Sequence, residues 1–598
     1  MEGVGIAMRD LPIGNDDFKS IRDNGGYYVD KTALIAEIVS RRSTGAFLFT
    51  RPRRFGKSLN LSMIDAFFNL QYDGRRWFEG LEVMSDRASV EMMNRFPVVM
   101  VSLKGLETDT YEDFINDFRE ITHELCRKFG YLFESRSEMA GKLSELKSGS
   151  STEALMKRSI KDLTEALESY HGRKTIVLID EYDSAINSSY GKSSHKKIVQ
   201  FVRGLLTNAL KSNEHLLFGV VTGVMQVAKE SIFSGLNNLY ANNIFSRDFD
   251  ESFGFTESEV TRILEDCGRP DRLGEVREWY DGYRFGDAEV YNPWSILNYV
   301  SRGFVADTYW INEGNPSMIL ESVSMNGPDA LRIVSDLYND GFVETPMSMN
   351  LIFADLGSME GLLSLLTGSG YLKAEGPRNG LWTLRLVNKE VRSGLLEQLV
   401  SGRWRASRMN RVARAILEGR PEDLGQELSG ALGSSVDGKV TRDERHYQAF
   451  MLGLLNCLVS DYYVRSEYRG GKGYADIAVV PRDGRGPSAV IELKDEPPGT
   501  DDGGMRASAE GALGQIERLR YYEGLRGEVH LYGVSTRQTD VFVSYRTITR
   551  GEGRCCRAEQ GIRVPAIKGI GLHMWGSYGF VLIGINPLAS RLAVSEGC

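Results

Sequence analysis

Residues 47–58, FLFTRPRRFGKS, constrain the fold of this chain more than any other stretch. An apolar run feeds a short polar loop ending in Gly-Lys-Ser, and LNLSMIDAFF follows with the apolar spacing of a helix. Strand, Gly-Lys-Ser loop and helix in that order make a phosphate-binding layout. Backbone N–H groups and a helix N-terminus surround an anion, Lys57 reaches the terminal phosphates and Ser58 holds Mg²⁺. Arg54, Phe55 and Gly56 form the part of the loop that would wrap the phosphates. In the pattern G-x-x-x-x-G-K-[ST] the first glycine falls where this chain has Arg51. With Arg53 and Arg54, the loop is stiffer and more cationic than a glycine-rich one. A basic turn that merely ends in Gly-Lys-Ser has the same letters, so this window leaves both readings open.

A second window bears on the choice. TIVLIDEYDS, residues 175–184, is a continuous apolar run closed by Asp180 and Glu181, with Asp183 two positions on. Such a run fits a strand buried on both faces of a parallel sheet. Carboxylates at its C-terminal end stand where open α/β sheets bind ligands. In an ATP site Asp180 would hold Mg²⁺ through its water shell and Glu181 would orient the attacking water. A strand ending in solvated acids is the plain alternative.

Length sets the domain count: 598 residues at roughly 100–200 per domain give about three to five. The net charge of −9 speaks against a uniformly basic nucleic-acid coat, so any such surface is a local patch. Six scattered cysteines and seven histidines show neither zinc spacing nor a disulfide framework, and a reducing, cytoplasmic setting is the expectation. The N-terminal segment has an early acid and no apolar core, unlike a secretory signal. No apolar run reaches the ~20 residues that span a bilayer; residues 569–585 are broken by His573, Ser577 and glycines and read as core strands.

Strand and helix patterns alternate through residues 1–250, which predicts a parallel α/β sheet domain. Residues 251–438 read as a mainly helical middle region without a strand series, apart from hairpin-like pieces at 371–374 and 381–387. Residues 439–548 return to α/β, and 549–598 form a tail of unassigned role.

The third region carries a second carboxylate set. YADIAVV (474–480) and SAVIELKD (488–495), joined by PRDGRGP, predict a hairpin that brings Asp476 near Glu492 and Lys494. Two carboxylates on adjacent strands suit Mg²⁺, a hard cation that prefers oxygen ligands. Period two puts Lys494 on the same face as Glu492, where it can stabilise charge on a phosphate. Glu444 opens a helix upstream and would complete the metal site. Gln515 lies on a helix expected to pack just beyond the second strand. Asp and Glu-x-Lys also arise by chance on solvated sheet faces.

With these residues in view, the chain resembles a family that pairs an AAA-ATPase-like N-terminal domain with a C-terminal domain of the PD-(D/E)XK nuclease superfamily. The resemblance runs from about residue 11 to 543. It is carried by LPIGNDDF, YYVDKTALI, FLFTRPRRFGKSLNLSM, LIDEYDSAI, AKESIFSGLNNL, WYDGYRFG and YNPWSI. The arginine-rich loop without its first glycine is the family's own form. The resemblance implies an AAA-like P-loop domain and a restriction-endonuclease-like C-terminal fold. It also implies ATP phosphates at Gly56, Lys57 and Ser58, and Mg²⁺ or water positioning at Asp180 and Glu181. Metal would bind at Asp476 and Glu492, with Lys494 beside them; Glu181, Lys494 and Gln515 are the candidate catalytic groups. Gln226 stands where the family usually has arginine, GKGYADI is its glycine-rich approach to the first metal ligand, and YGVSTRQTD departs from the usual YGI-aromatic-x-x-Lys block. WYDGYRFG reads as packing between the ATPase core and the middle region, with base stacking as its rival. YVDKT reads as a helix start capped by Asp30 or as part of the nucleotide pocket. Arg51, Arg53 and Arg54 would meet DNA phosphates or, nearer, ATP.

The expectation is thus an ATP-regulated, Mg²⁺-dependent nuclease or nuclease-like protein acting on DNA or RNA, off the membrane, its oligomeric state open. A nucleotide-dependent switch or scaffold whose C-terminal domain binds without cleaving is the alternative. A kinase-like phosphotransferase leaves Asp476, Glu492 and Lys494 unexplained.

Overall fold

The structure is a computed structural model. It describes residues 11–134, 144–146, 151–211, 213–225, 238–311, 336–347, 357–401, 406–434, 444–458 and 461–550, with isolated positions between 319 and 334 and the short strands 572–574 and 580–582.

Five strands, β1 (Ala46–Thr50), β2 (Val98–Ser102), β3 (Thr175–Asp180), β4 (Leu216–Gly223) and β5 (Leu239–Asn242), form one sheet in the order β2-β3-β4-β1-β5. Every neighbouring pair is parallel. Helices α1 (Lys57–Phe68), α2 (Tyr111–Lys128), α3 (Glu153–His171) and α4 (His195–Leu210) lie in the crossovers. The continuous apolar runs follow from burial on both faces, and period two divides them. Phe47, Phe49, Ile176 and Leu178 pack into one core, whereas Ala46, Leu48, Val177 and Ile179 pack into the other. Caps set the helix ends: Thr110 and Thr152 accept from main-chain N–H groups at the starts of α2 and α3, and Gly172 closes α3 in the left-handed conformation. Strand order places the C-terminal ends of β1 and β3 on either side of β4.

The middle region, expected to be mainly helical with hairpin-like pieces, holds two small sheets among its helices. Strands β6 (Phe255–Thr256), β7 (Tyr283–Phe285) and β8 (Ala288–Tyr291) form a three-stranded sheet, and β9 (Val343–Thr345), β10 (Leu372–Arg378) and β11 (Leu381–Leu386) form another. In β7 only Tyr283 and Phe285 face inward, a period-two signal too short to stand out among helical patterns. The expected hairpin-like pieces pair as antiparallel β10 and β11. Helices α5 (Pro293–Ser301) and α6 (Lys389–Ser401) follow β8 and β11 in the chain.

WYDGYRFG is packing. Tyr283 and Phe285 meet the ring of Phe55 at centroid distances of 4.9 and 5.0 Å. Gly282 passes so close to Val387 that a Cβ would lie 2.0 Å from its carbonyl oxygen. Asp30 does not cap the following helix directly. Its carboxylate accepts from Thr32 N at 2.9 Å and Glu82 N at 2.7 Å, pinning the turn before the helix.

Two further helices, α7 (Ala406–Leu417) and α8 (Pro421–Ser434), precede α9 (Glu444–Leu455). The C-terminal sheet runs β12 (Tyr462–Gly470), β13 (Gly473–Pro481), β14 (Ser488–Asp495), β15 (Gly527–Arg537) and β16 (Asp540–Arg550) in sequential order. Strands β14 and β15 are parallel, joined through α10 (Asp502–Leu519); the other pairs are antiparallel. The predicted hairpin is β13–β14, with Ile477 opposite Ile491. Leu572–Met574 and Phe580–Leu582 pair as a short antiparallel ribbon within the stretch expected to form strands.

Candidate functional site

Gly56, at φ 81°, turns the chain from the loop after β1 into α1, and no side chain caps that helix. Its first N–H groups therefore remain for an anion. Lys57, the first residue of α1, folds back over the loop and donates to Arg51 O at 3.0 Å and Pro52 O at 2.8 Å. Burial lowers its pKa to about 8, while Glu181, Asp183 and Asp180 pull the other way. Arg51 is fully buried and available to neither DNA nor ATP. Its guanidinium donates to Asn242 Oδ1 at 2.6 Å and Phe249 O at 3.3 Å, and lies 5.0 Å from the ring centroids of both Phe253 and Phe285. Arg54, with φ 65°, lies over the Trp294 ring at 4.1 Å.

The end of β3 closes on this loop. Ser58 Oγ donates to Asp180 Oδ2 at 2.6 Å, and Thr222 Oγ1, at the end of β4, donates to Asp180 Oδ1 at 2.5 Å. A hydroxyl and a carboxylate held together are an oxygen donor set suited to Mg²⁺. Glu181 follows in the left-handed conformation, φ 50°, a costly state for a non-glycine residue, and lines the cavity that opens over the loop. Burial raises its pKa, and the neighbouring Asp180 adds to the effect. Asp183, buried, accepts from the N–H groups of Val224 and Met225 at 3.0 Å each and so ties the end of β3 to the loop after β4.

A cavity of about 550 Å³ opens over the loop. Arg53 to Ser58 and Glu181 form one side, Pro12 to Gly14 and Trp294 another, and Tyr371 of the middle region contributes as well. Its size and mixed lining suit a nucleotide. The LPIGNDDF block and the YNPWSI block, far apart in sequence, meet here. Gln226 lies outside the described residues.

The second site forms where β13 and β14 run side by side. Asp476 Oδ2 accepts from Leu493 N at 2.7 Å, and Gln448 Nε2 of α9 donates to the Asp476 carbonyl at 2.9 Å. Glu492 Oε1 accepts from Lys494 Nζ at 3.1 Å and from Gln515 Nε2 of α10. Glu492 Oε2 is buried with no hydrogen-bond partner. An orphan carboxylate oxygen beside a second carboxylate fits a cation at this point. Burial raises the Glu492 pKa to about 7, with Asp476 adding repulsion and Lys494 opposing it. The structure thus brings Asp476, Glu492, Lys494 and Gln515 together. Glu444 is the first residue of α9, four positions before Gln448; its side chain lies outside the described residues. Among the described residues no third His, Cys, Asp or Glu joins Asp476 and Glu492.

Glycines let α10 come down on this sheet. A Cβ on Gly533 would lie 2.1 Å from Ala509 O, and Cβ atoms on Gly470 and Gly471 would lie 1.9 Å from Tyr521 O and 2.3 Å from Arg520 O. Tyr521 OH in turn accepts from Gln515 Nε2 at 3.0 Å. The glycine-rich approach to Asp476 is thus the seat for the end of α10, which sets Gln515 over Glu492. Thr222, Gln448 and Tyr521 escaped sequence reading. Each is a common polar residue in an unremarked position; strand order and helix docking give Thr222 and Gln448 their partners, and the turn after α10 brings Tyr521 back to Gln515.

A parallel sheet with a Gly-Lys-Ser loop and a strand-end acid, joined to a mixed sheet with an Asp and Glu-x-Lys pocket, defines the class. Comparison with known proteins agrees. Residues 12–233 match the family model described as predicted AAA-ATPase, and residues 442–544 match that of the PD-(D/E)XK nuclease superfamily. The chain therefore pairs an AAA-ATPase-like N-terminal domain with a PD-(D/E)XK nuclease-superfamily domain. It is similar to a protein of Azotobacter chroococcum mcd 1 described as an uncharacterized protein in the vnfD 5′ region, 29% identical over 323 residues. The match covers 53% of this chain and 56% of that protein, so the chain spans about half the length of the relative it matches. No helix among the described residues is long and apolar enough to cross a membrane.

Proposed function

We propose that this protein is an ATP-regulated, Mg²⁺-dependent nuclease. The observation that carries the reading is the buried, unpartnered Oε2 of Glu492 beside Asp476, with Lys494 and Gln515 on the same carboxylate, in a chain that also holds a phosphate loop. Asp476 and Glu492 would hold Mg²⁺ in the C-terminal pocket, with Glu444 as a further ligand; Ser58 and Asp180 would hold it beside ATP. A bound divalent cation supplies charge neutralisation at the phosphate and a more acidic water. Lys494 places positive charge where the scissile phosphate develops negative charge, and Gln515 holds the Glu492 carboxylate in one orientation. In the N-terminal site the helix N-terminus and Lys57 bind the phosphates, Arg54, Phe55 and Gly56 shape the loop around them, and Glu181 orients a water.

The test is to incubate the full chain with mixed DNA and RNA, with and without ATP and Mg²⁺, alongside Lys57→Ala and Asp476→Ala. Metal-dependent cleavage is expected, lost in Asp476→Ala with ATP hydrolysis spared. Lys57→Ala is expected to weaken ATP binding by about a hundredfold or more, the loss of a charge-assisted contact of ~3 kcal/mol. Unchanged ATP affinity in that variant removes the phosphate-loop assignment. A binding-only C-terminal domain has one observation in its favour. Ser535 stands at the aromatic position of the family block and spends its hydroxyl on Met505 O at 2.8 Å. That reading gives ATP binding without cleavage of any nucleic acid under Mg²⁺ or Mn²⁺.

A further inference from the structure

Glu390 is fully buried yet belongs to neither site. Near the start of α6, its carboxylate accepts from Ser295 Oγ at 2.8 Å and from the main-chain N–H of Trp310 at 2.5 Å. Both donors adjoin the groups that grip the phosphate loop. Trp310 Nε1 donates to Arg53 O at 3.0 Å, and Asn292, the N-cap of α5, donates from Nδ2 to the same oxygen at 3.4 Å. Two residues beyond Glu390, an Arg392 guanidinium nitrogen donates to Tyr338 O at 2.7 Å, and Tyr338 OH donates back to Arg392 O at 2.5 Å. The next residue, Asn339, donates from Nδ2 to Val464 O in β12. Further along β12, Glu467 takes φ 48° between the paired residues Ser466 and Tyr468. Their partners on β13, Ile477 and Ala475, pack into different cores on either side of Asp476. The left-handed residue whose neighbours pair with those of Asp476 is therefore on the strand that Asn339 holds.

We propose that this row of bonds carries the state of the phosphate loop to the nuclease sheet, with Glu390 as its positioning residue and Asn339 as its joint. The proposal rests on the nucleotide and nuclease reading above and names how one site controls the other. The loop itself supplies two arrangements. Lys57 Nζ holds the Arg51 and Pro52 carbonyls, and phosphate oxygens compete for that ammonium. Drawing Lys57 onto a phosphate releases both carbonyls, and Arg53 is the next peptide along. Its oxygen is gripped by two side chains, so a shift there moves Trp310 and α5 together. Glu390 is bonded to both and sealed from water, so it passes the displacement into α6 rather than into solvent.

Contiguous bonds do not by themselves establish coupling, so the experiment reads coupling directly. Hydrogen–deuterium exchange is measured on the full chain with Mg²⁺, with and without ATP. ATP affinity is followed by titration with a fluorescent ATP analogue. In the wild type, ATP is expected to change exchange in β12 and β13 by about fivefold or more. Asn339→Ala is expected to abolish that change while leaving ATP affinity within about twofold. Glu390→Ala should lose the change and weaken ATP binding. Glu390→Gln should restore both, because its amide oxygen still accepts from Trp310 N and the Ser295 hydroxyl can turn to accept. An undiminished response at β12 in Asn339→Ala, or no response there in ATP-bound wild type, overturns the relay and leaves the two proposed activities standing. Failure of the wild type to bind the analogue overturns the nucleotide reading, and the relay with it.

Discussion

Arg51 occupies the position where a phosphate loop has its first glycine, and its surroundings explain how a bulky cation fits. The side chain leaves the loop entirely and reaches under it to Asn242 and Phe249. Burial lowers its pKa to about 9, yet it stays the cation in neutral solution, held by carbonyl oxygens and two aromatic faces. The charge of this loop as read from composition is thus larger than the charge it presents. Glu390 is the opposite case, a carboxylate whose partners are neutral. Burial raises its pKa to about 7, and the phenols of Tyr280, Tyr283 and Tyr309 that face it remain uncharged at that pH. The sign follows from linkage. An unfolded glutamate loses its proton near 4.5 and the folded one near 7, so raising the pH between those values favours the unfolded chain. Relative to Glu390→Gln, wild type is expected to lose about 2–3 kcal/mol of stability between pH 5 and pH 8. Urea unfolding of both proteins across that range checks it; parallel curves would show that Glu390 ionises normally.

At the scale of elements, the C-terminal pocket depends on how closely one helix approaches one strand. α10 lies directly over β15 at Gly533, with no room for a side chain between them. That approach, and the seating of Tyr521 on the glycine turn after β12, set Gln515 against Glu492. Gly533→Ala must push α10 away, against backbone atoms that cannot rotate aside. It is expected to cost about 1–3 kcal/mol by overpacking and to weaken Mg²⁺ binding through the displaced Gln515. Thermal unfolding and metal titration by calorimetry measure the two effects. A variant that loses stability but keeps full metal affinity would show that Gln515 does not govern the carboxylate.

The whole molecule is joined through its middle region. α7 and α8 share a core with the C-terminal sheet: Val412, Ile416, Leu424 and Leu428 lie in one apolar cluster with Ile491 and Leu493. Tyr532 OH donates to Ile416 O at 2.9 Å, and His530 Nε2 lies 3.1 Å from Leu417 O. A fragment of residues 406–550 is therefore expected to unfold cooperatively in urea. One of residues 442–550, cut at the start of the family match, exposes that face and is expected to lose cooperativity or aggregate. Circular dichroism and urea titration of the two fragments compare them, and equal cooperativity would show that α7 and α8 are dispensable.

Much of this protein was legible in the residues alone, because its chemistry is written in short local patterns. Lys57 and Ser58 follow a strand and begin a helix, Asp180 and Glu181 end a fully apolar run, and the Asp476 and Glu492 strands are joined by a turn too short for anything but a hairpin. Each signal spans fewer than about twenty residues, the range over which periodicity and turn chemistry act. Tertiary structure decided everything that depends on distant segments meeting. Only strand order brings Thr222 to Asp180, only the approach of α10 brings Gln515 to Glu492, and only packing turns Arg51 inward. The bond from Trp310 to Arg53, spanning 257 positions, and that from Asn339 to Val464, spanning 125, leave no local trace. Each of these bonds comes from an ordinary polar side chain, and a bond of that kind requires no pattern in its neighbours. The sequence by itself therefore named the residues of the two candidate sites, and the tertiary structure alone decided which distant groups pack between them.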